Sequence, residues 1–145
     1  MSKVITVEDI IELFKQAADT DKRLPPAIRK QQITAWLDYR QEKMYKHSYH
    51  KASFKIVPNA RDIARWEIAS WILRELVKEL DMRKIIWLRG RRFPFTQLGR
   101  IFGYTRKQIK NKYLEEIIYL RLWLQLHQND KKISDIIDKI VLNKI

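Results

Sequence analysis

Apolar residues recur every three or four positions along most of this chain, the spacing of helices that bury one face. Val7, Ile10, Ile11, Phe14, Ala17 and Ala18 form the first such stripe. Thr6 ahead of it and Asp9 three residues later have the form of an N-terminal capping pair, and the pattern stops near Thr20. Pro25-Pro26 then break the helix, because proline lacks an amide donor and fixes its own φ. The spacing predicts a second helix over Ile28 to Met44, with Ile33, Trp36, Leu37 and Tyr39 as its apolar positions. Pro58-Asn59 reads as the entry to the strongest helix, Ala60 to Leu80. Its apolar face, which includes Trp66, Ile68, Trp71, Ile72, Leu73 and Leu76, is broad enough to require packing on several sides, so this helix is the predicted central strut. Arg61, Arg65 and Arg74 fall mostly outside that face.

The next segment has a different logic. Met82, Ile85, Ile86 and Leu88 outline a short supporting helix that Arg89-Gly90-Arg91-Arg92 ends, and Pro94 stands just ahead of another helix. There Leu98 and Phe102 face inward, while Gly99 falls where two helices would cross most closely. Gly103 supplies a turn, since a residue without a Cβ enters the left-handed region freely. Tyr104 plugs the core, Thr105 is a natural N-cap and Ile109 is the inward anchor of the helix that follows. Arg106, Lys107, Gln108, Lys110 and Asn111 remain on the open side. Such a spacing describes a helix-turn-helix. Its second helix continues through Leu114, Ile117, Leu120, Trp123 and Leu126, and is predicted to return onto the Trp66–Leu76 helix. From Lys131 onward, Ile133, Ile136, Ile137, Ile140 and Val141 form a narrow stripe that suits either the lid of the core or a dimer seam.

The expected fold is all-α, divided into an N-terminal helical segment (1–58), a core helix with the helix-turn-helix (59–128) and a C-terminal amphipathic helix (129–145). Three Gly and four Pro among 145 residues agree with that class. Without cysteine there is no disulfide, thiolate metal site or cysteine nucleophile. No apolar run reaches the roughly 18–20 residues of a membrane span, and the first residues lack a signal-peptide core, so the expectation is a cytoplasmic protein with no membrane partner. His47 and His50 stand three apart in a polar, aromatic loop, but no nearby carboxylate completes a metal site. Phosphate-loop, nucleophile-elbow and zinc-protease signatures are absent as well, so neither metal, cofactor nor enzymatic activity is expected.

Charge gives the functional direction. The chain carries 30 Lys and Arg against 17 Asp and Glu, a net charge of +13. Residues 81–112 hold ten of those cations and one Asp, so nine of the thirteen excess charges lie in 32 residues. Concentrated like charge repels itself unless a polyanion is the partner, which points to a nucleic acid, and the helix-turn-helix spacing makes double-stranded DNA the expected one. On the open side, Gln108 and Asn111 can bond adenine bidentately, and Arg106, Lys107 and Lys110 can bond guanine, so these five are the candidate base readers. Arg89, Arg91, Arg92, Arg100 and Lys112 are the candidate phosphate contacts.

Residues 84–89 (Lys-Ile-Ile-Trp-Leu-Arg), 95–105 (Phe-Thr-Gln-Leu-Gly-Arg-Ile-Phe-Gly-Tyr-Thr) and 108–114 (Gln-Ile-Lys-Asn-Lys-Tyr-Leu) together resemble the helix-turn-helix of sigma factor region 4. The resemblance spans about residues 82 to 122; Leu98-Gly99 stands where that family has an Ile-Ala pair, and Gln97 where it commonly has an acid. It does not extend to residues 1–80, which lack the aromatic strand-melting region of a complete sigma factor. With Ala17-Ala18-Asp19-Thr20, Leu24-Pro25-Pro26, Trp36 and the Trp66–Leu76 helix included, more of the chain resembles small proteins of bacterial prophages and gene-transfer clusters that carry such a motif. These resemblances imply a nucleoid-associated phage or prophage protein, acting as a transcriptional regulator or a DNA-packaging recognition factor. They also imply the alternative of docking on RNA polymerase or a phage protein. Two further readings come from the residues themselves: a structured-RNA binder using the basic strip and the Tyr45–Lys51 loop, and a homodimer through 129–145.

Overall fold

The computed structural model describes residues 4–24 and 58–141, and among them every regular element is a helix, as the all-α expectation requires. The order is α1 (Val7–Arg23), α2 (Ala60–Glu75), α3 (Leu80–Gly90), α4 (Phe95–Phe102), α5 (Arg106–Leu126) and α6 (Lys131–Val141). The helix predicted over Ile28 to Met44 and the His47/His50 loop lie outside the described residues. None of the described helices is long and apolar enough to cross a membrane.

α1 begins with the capping pair read from the sequence. Thr6 Oγ1 accepts from the Asp9 amide at 3.3 Å, and Asp9 Oδ2 accepts from the Thr6 amide at 2.9 Å, which satisfies two donors that a helix leaves unpaired. The helix runs to Arg23, almost a turn past the predicted stop at Thr20, and the Leu24 amide closes it on the carbonyls of Thr20 and Asp21. Ile10, Leu13, Phe14, Ala17 and Ala18 are fully buried.

Among the described helices the central strut is α1, which packs on α2, α3, α5 and α6, and not α2 as the apolar breadth of Ala60–Leu80 suggested. Small residues explain the reversal. Ala17 and Ala18 add little bulk to the face of α1, and helix separation follows the side chains at the contact. At the end of α3, a Cβ on Gly90 would lie 2.8 Å from the Phe14 carbonyl oxygen, so α3 approaches the backbone of α1 where only glycine fits. Among the described helices α2 packs chiefly on α1 and also meets α6.

α2 stops at Glu75, and Leu80, assigned to its end by periodicity, opens α3 instead. Arg83 holds the break by reaching back from α3, its Nε donating to the Val77 carbonyl at 2.6 Å and Nη2 to the Arg74 carbonyl at 3.1 Å. Arg65 also departs from expectation. It is buried, donates to Gln16 Oε1 on α1 at 3.0 Å and to the Lys139 carbonyl on α6 at 3.4 Å, and so ties three helices together.

Beyond its first turns, α5 packs chiefly on α1 and α3 and meets α2 at the Trp71–Trp123 ring pair, a correction to the predicted return onto Trp66–Leu76. Arg121 and Gln125 of α5 bind the carbonyl and amide of Ile5, at 3.0 and 3.1 Å, and pin the entry to α1. α6 buries Ile133, Ile136, Ile137 and Ile140 against α1 and α2 of the same chain, the arrangement of a lid. At about 1.5–3 kcal/mol for each buried isoleucine, that stripe is a large share of the stability of a domain this size.

Candidate nucleic-acid interface

The segment from α3 to α5 is built on buried anchors. Met82, Ile85, Ile86, Trp87 and Leu88 sink α3 into the core, and Pro94 stands at the N-cap of α4. Leu98 and Gly99 are buried in α4, and Phe102 is half-buried. A Cβ on Gly99 would lie 2.4 Å from the Tyr104 carbonyl oxygen, so the glycine admits the turn backbone itself against α4. Gly103 takes φ +79°, in the left-handed region, and the Tyr104 amide donates to the Gly99 carbonyl at 2.8 Å. Tyr104 is half-buried and Ile109 fully buried, so every motif-core residue named from the sequence is buried or half-buried except Gly103, which is exposed at the turn.

Thr105 caps α5, its Oγ1 accepting from the Gln108 amide at 3.2 Å while Gln108 Oε1 accepts from the Thr105 amide at 3.0 Å. The Thr-x-x-Gln spacing in the sequence is the signal for this reciprocal cap. It has a chemical consequence for Gln108. A bidentate bond to adenine uses both the oxygen and the nitrogen of a carboxamide, and here the oxygen is already engaged. Asn111, one turn further on, is exposed and lies outside the cap.

Arg106, Lys107 and Lys110 are exposed on the same first turns of α5, where the helix dipole adds positive potential. Of the five residues assigned to phosphate, Arg100 and Lys112 are exposed, with Lys112 Nζ 5.0 Å from the Tyr104 ring centroid. Arg91 does not belong with them. It is 8% exposed and close enough to α1 to lower the pKa of Lys22, which burial lowers first. Arg89 is half-buried, its guanidinium 4.0 Å over the Phe95 ring and its Nη1 donating to the Phe93 carbonyl at 2.9 Å, so it shapes the α3–α4 connection. Arg92 is exposed but ion-paired with Asp19 of α1 at 3.1 Å, in a left-handed conformation with φ 69° that is uncommon outside glycine. Of the other two cations in the basic strip, Lys84 is buried and Arg83 closes the α2–α3 break.

Among the described residues, five cations therefore stand exposed with no carboxylate partner along one stretch of backbone: Arg100, Arg106, Lys107, Lys110 and Lys112. Sequence reasoning missed Lys15 of α1, which shares a cavity with Lys110 although 95 positions separate them. No local pattern carried that information.

A family model described as a domain of unknown function (DUF6362) matches residues 22–120, from the end of α1 through most of α5. No curated protein and no solved structure matches the chain.

Proposed function

This chain belongs to the DUF6362 family, and we propose that it is a sequence-reading DNA-binding protein whose reading element is α4, the Gly103–Thr105 turn and the first turns of α5. One observation carries the reading. Between Met82 and Leu114 there is no Asp or Glu, and the five exposed cations there that have no carboxylate partner among the described residues lie on α4 and within the first seven residues of the capped α5. Asn111 on that surface supplies a bidentate group for adenine, and Arg106 and Lys107 supply donors for guanine or phosphate. Gly99 admits the turn backbone close against α4, and Gly103 takes the left-handed φ of the turn that leads into the reading helix. The resemblance to sigma region 4 extends the proposal to transcriptional regulation or packaging recognition in a phage or prophage setting.

The test is the salt dependence of duplex binding. With all five cations on phosphate, log affinity should fall against log salt with a slope of roughly −4.5, at about −0.9 per contact. Lys107→Gln should flatten it by about 0.9 if that residue meets phosphate. A slope near zero for duplex DNA, or stronger binding to structured RNA at every salt concentration, would defeat the proposal.

The second reading, docking on polymerase or another regulator, has its own support in Ile118, Tyr119, Leu122 and Leu126, which are exposed on the distal half of α5. Leu122→Ser should abolish such docking and leave duplex binding intact.

A further inference from the structure

A cavity of about 230 Å³ opens between α1, α3 and α5 beside the proposed reading surface. Three cations line it, Lys15, Arg89 and Lys110, one from each helix, and no carboxylate is among its lining residues. Ile11, Phe95 and Leu114 supply the apolar part of the wall. Arg89 is fixed there, because its guanidinium lies over Phe95 and its Nη1 donates to the Phe93 carbonyl. Tyr113 completes the wall. Burial pushes its pKa up to about 12 against the opposing pull of Arg89, so at neutral pH it is an uncharged phenol and adds no negative charge.

From this convergence we propose that the cavity is a binding site for a small organic monoanion, a carboxylate whose apolar body covers Ile11, Phe95 and Leu114. The volume lies below the roughly 300–1,000 Å³ of drug-sized sites, which restricts the ligand to a single ring or a short branched chain. The mixed wall decides between kinds of anion. A phosphate or a DNA phosphodiester would meet the cations but leave the apolar side chains without a partner, whereas an aromatic or branched carboxylate satisfies both. Arg89 and the two lysines, one from each of three helices, provide charge-assisted donors for the carboxylate.

The site stands without the DNA reading; only its consequence rests on it. Lys110 belongs to both surfaces, so a bound anion neutralises one of the five cations proposed to meet DNA and weakens duplex binding, and by linkage duplex weakens anion binding by the same factor.

The test uses the full chain in the absence of DNA, with amide chemical shifts followed by NMR during titration with sodium benzoate, benzamide and inorganic phosphate. Benzoate should move Lys15, Lys110 and Leu114 together along one saturable isotherm, and the neutral benzamide should not. Lys15 is a partly exposed residue outside the core, and Lys15→Gln should keep the melting temperature while weakening benzoate by about tenfold or more, the loss of one hydrogen bond to a charged group. The proposal is overturned if benzoate produces no saturable shift, if benzamide or phosphate binds as well as benzoate, or if Lys15→Gln binds unchanged. A duplex titration at saturating benzoate then addresses the coupling alone. Lower duplex affinity supports it, and unchanged affinity in a protein that does bind both would overturn it.

Discussion

Replacing Gly99 with alanine sets two opposing effects against each other, and their magnitudes decide the sign. Alanine in a helix interior gains about 0.8–1.0 kcal/mol over glycine. Against that, the new Cβ would sit 2.4 Å from the Tyr104 carbonyl oxygen, well inside the 3.0 Å that real contacts essentially never breach. Overpacking of this kind costs about 1–3 kcal/mol. The upper part of that range applies because the obstructing atom is backbone and cannot rotate away. Moving the turn also strains the Tyr104 amide bond to the Gly99 carbonyl, worth about 1 kcal/mol. The net expectation is a loss of about 1–3 kcal/mol. Gly103 gives the contrast. No atom lies within 4 Å of the Cβ it would carry, so Gly103→Ala should lose only the left-handed strain of about 1–2 kcal/mol, and Gly103→Asn less, since asparagine visits that region more readily. Urea unfolding followed by tryptophan fluorescence measures all three, as a change in midpoint at constant slope. If Gly99→Ala matches or exceeds the parent in stability, the α4–turn contact is not tight and the reasoning is wrong.

Gln108→Glu should preserve the reciprocal cap on Thr105, and with it stability, yet weaken duplex binding by placing a negative charge at the reading surface; equal affinity in gel shifts would remove Gln108 from that surface. Ile137→Ala should cost about 2–5 kcal/mol in unfolding free energy without changing the mass measured by light scattering, because Ile137 is fully buried against its own chain. A change of mass would restore the dimer seam. Glu116 has a pKa raised by burial and next by Glu79, so between its unfolded and folded values the native state binds more protons, and its contribution to stability falls as pH rises through that window. Glu116→Gln should therefore melt higher than the parent at pH 7, with the difference closing toward pH 4; an equal difference at both values would refute the assignment.

Local chemistry was legible wherever one element carried its own signal. Thr6 with Asp9, Thr105 as a cap, Gly103 at the turn and the isoleucine stripe of α6 were all readable, because capping, positive φ and helical period act over a few residues. The end of α2 was not, since Val77-Lys78-Glu79 contains no breaker and the interruption is held by Arg83 from the next helix. Arg91 and Arg92 are adjacent and identical in type, yet one is buried and the other paired with Asp19 of α1. Charge counting treats them alike; only the packing of α1 on α3 separates them. The same packing put Lys15 beside Lys110 and made α1 the strut, relations between distant segments that a helical period does not contain.

The central claim is that the first turns of α5 read base edges, and Asn111 tests it most directly. Duplexes selected from a random library should bind the parent protein more tightly than random duplex, and the ratio of the two affinities is the quantity to measure at one fixed salt concentration. Asn111→Ala, with its fold checked by circular dichroism, should lower that ratio by the equivalent of about 1–3 kcal/mol, relax preference at one base pair and leave random-duplex affinity nearly unchanged. An unchanged ratio in the folded variant would contradict the claim and favour the protein-docking reading of α5.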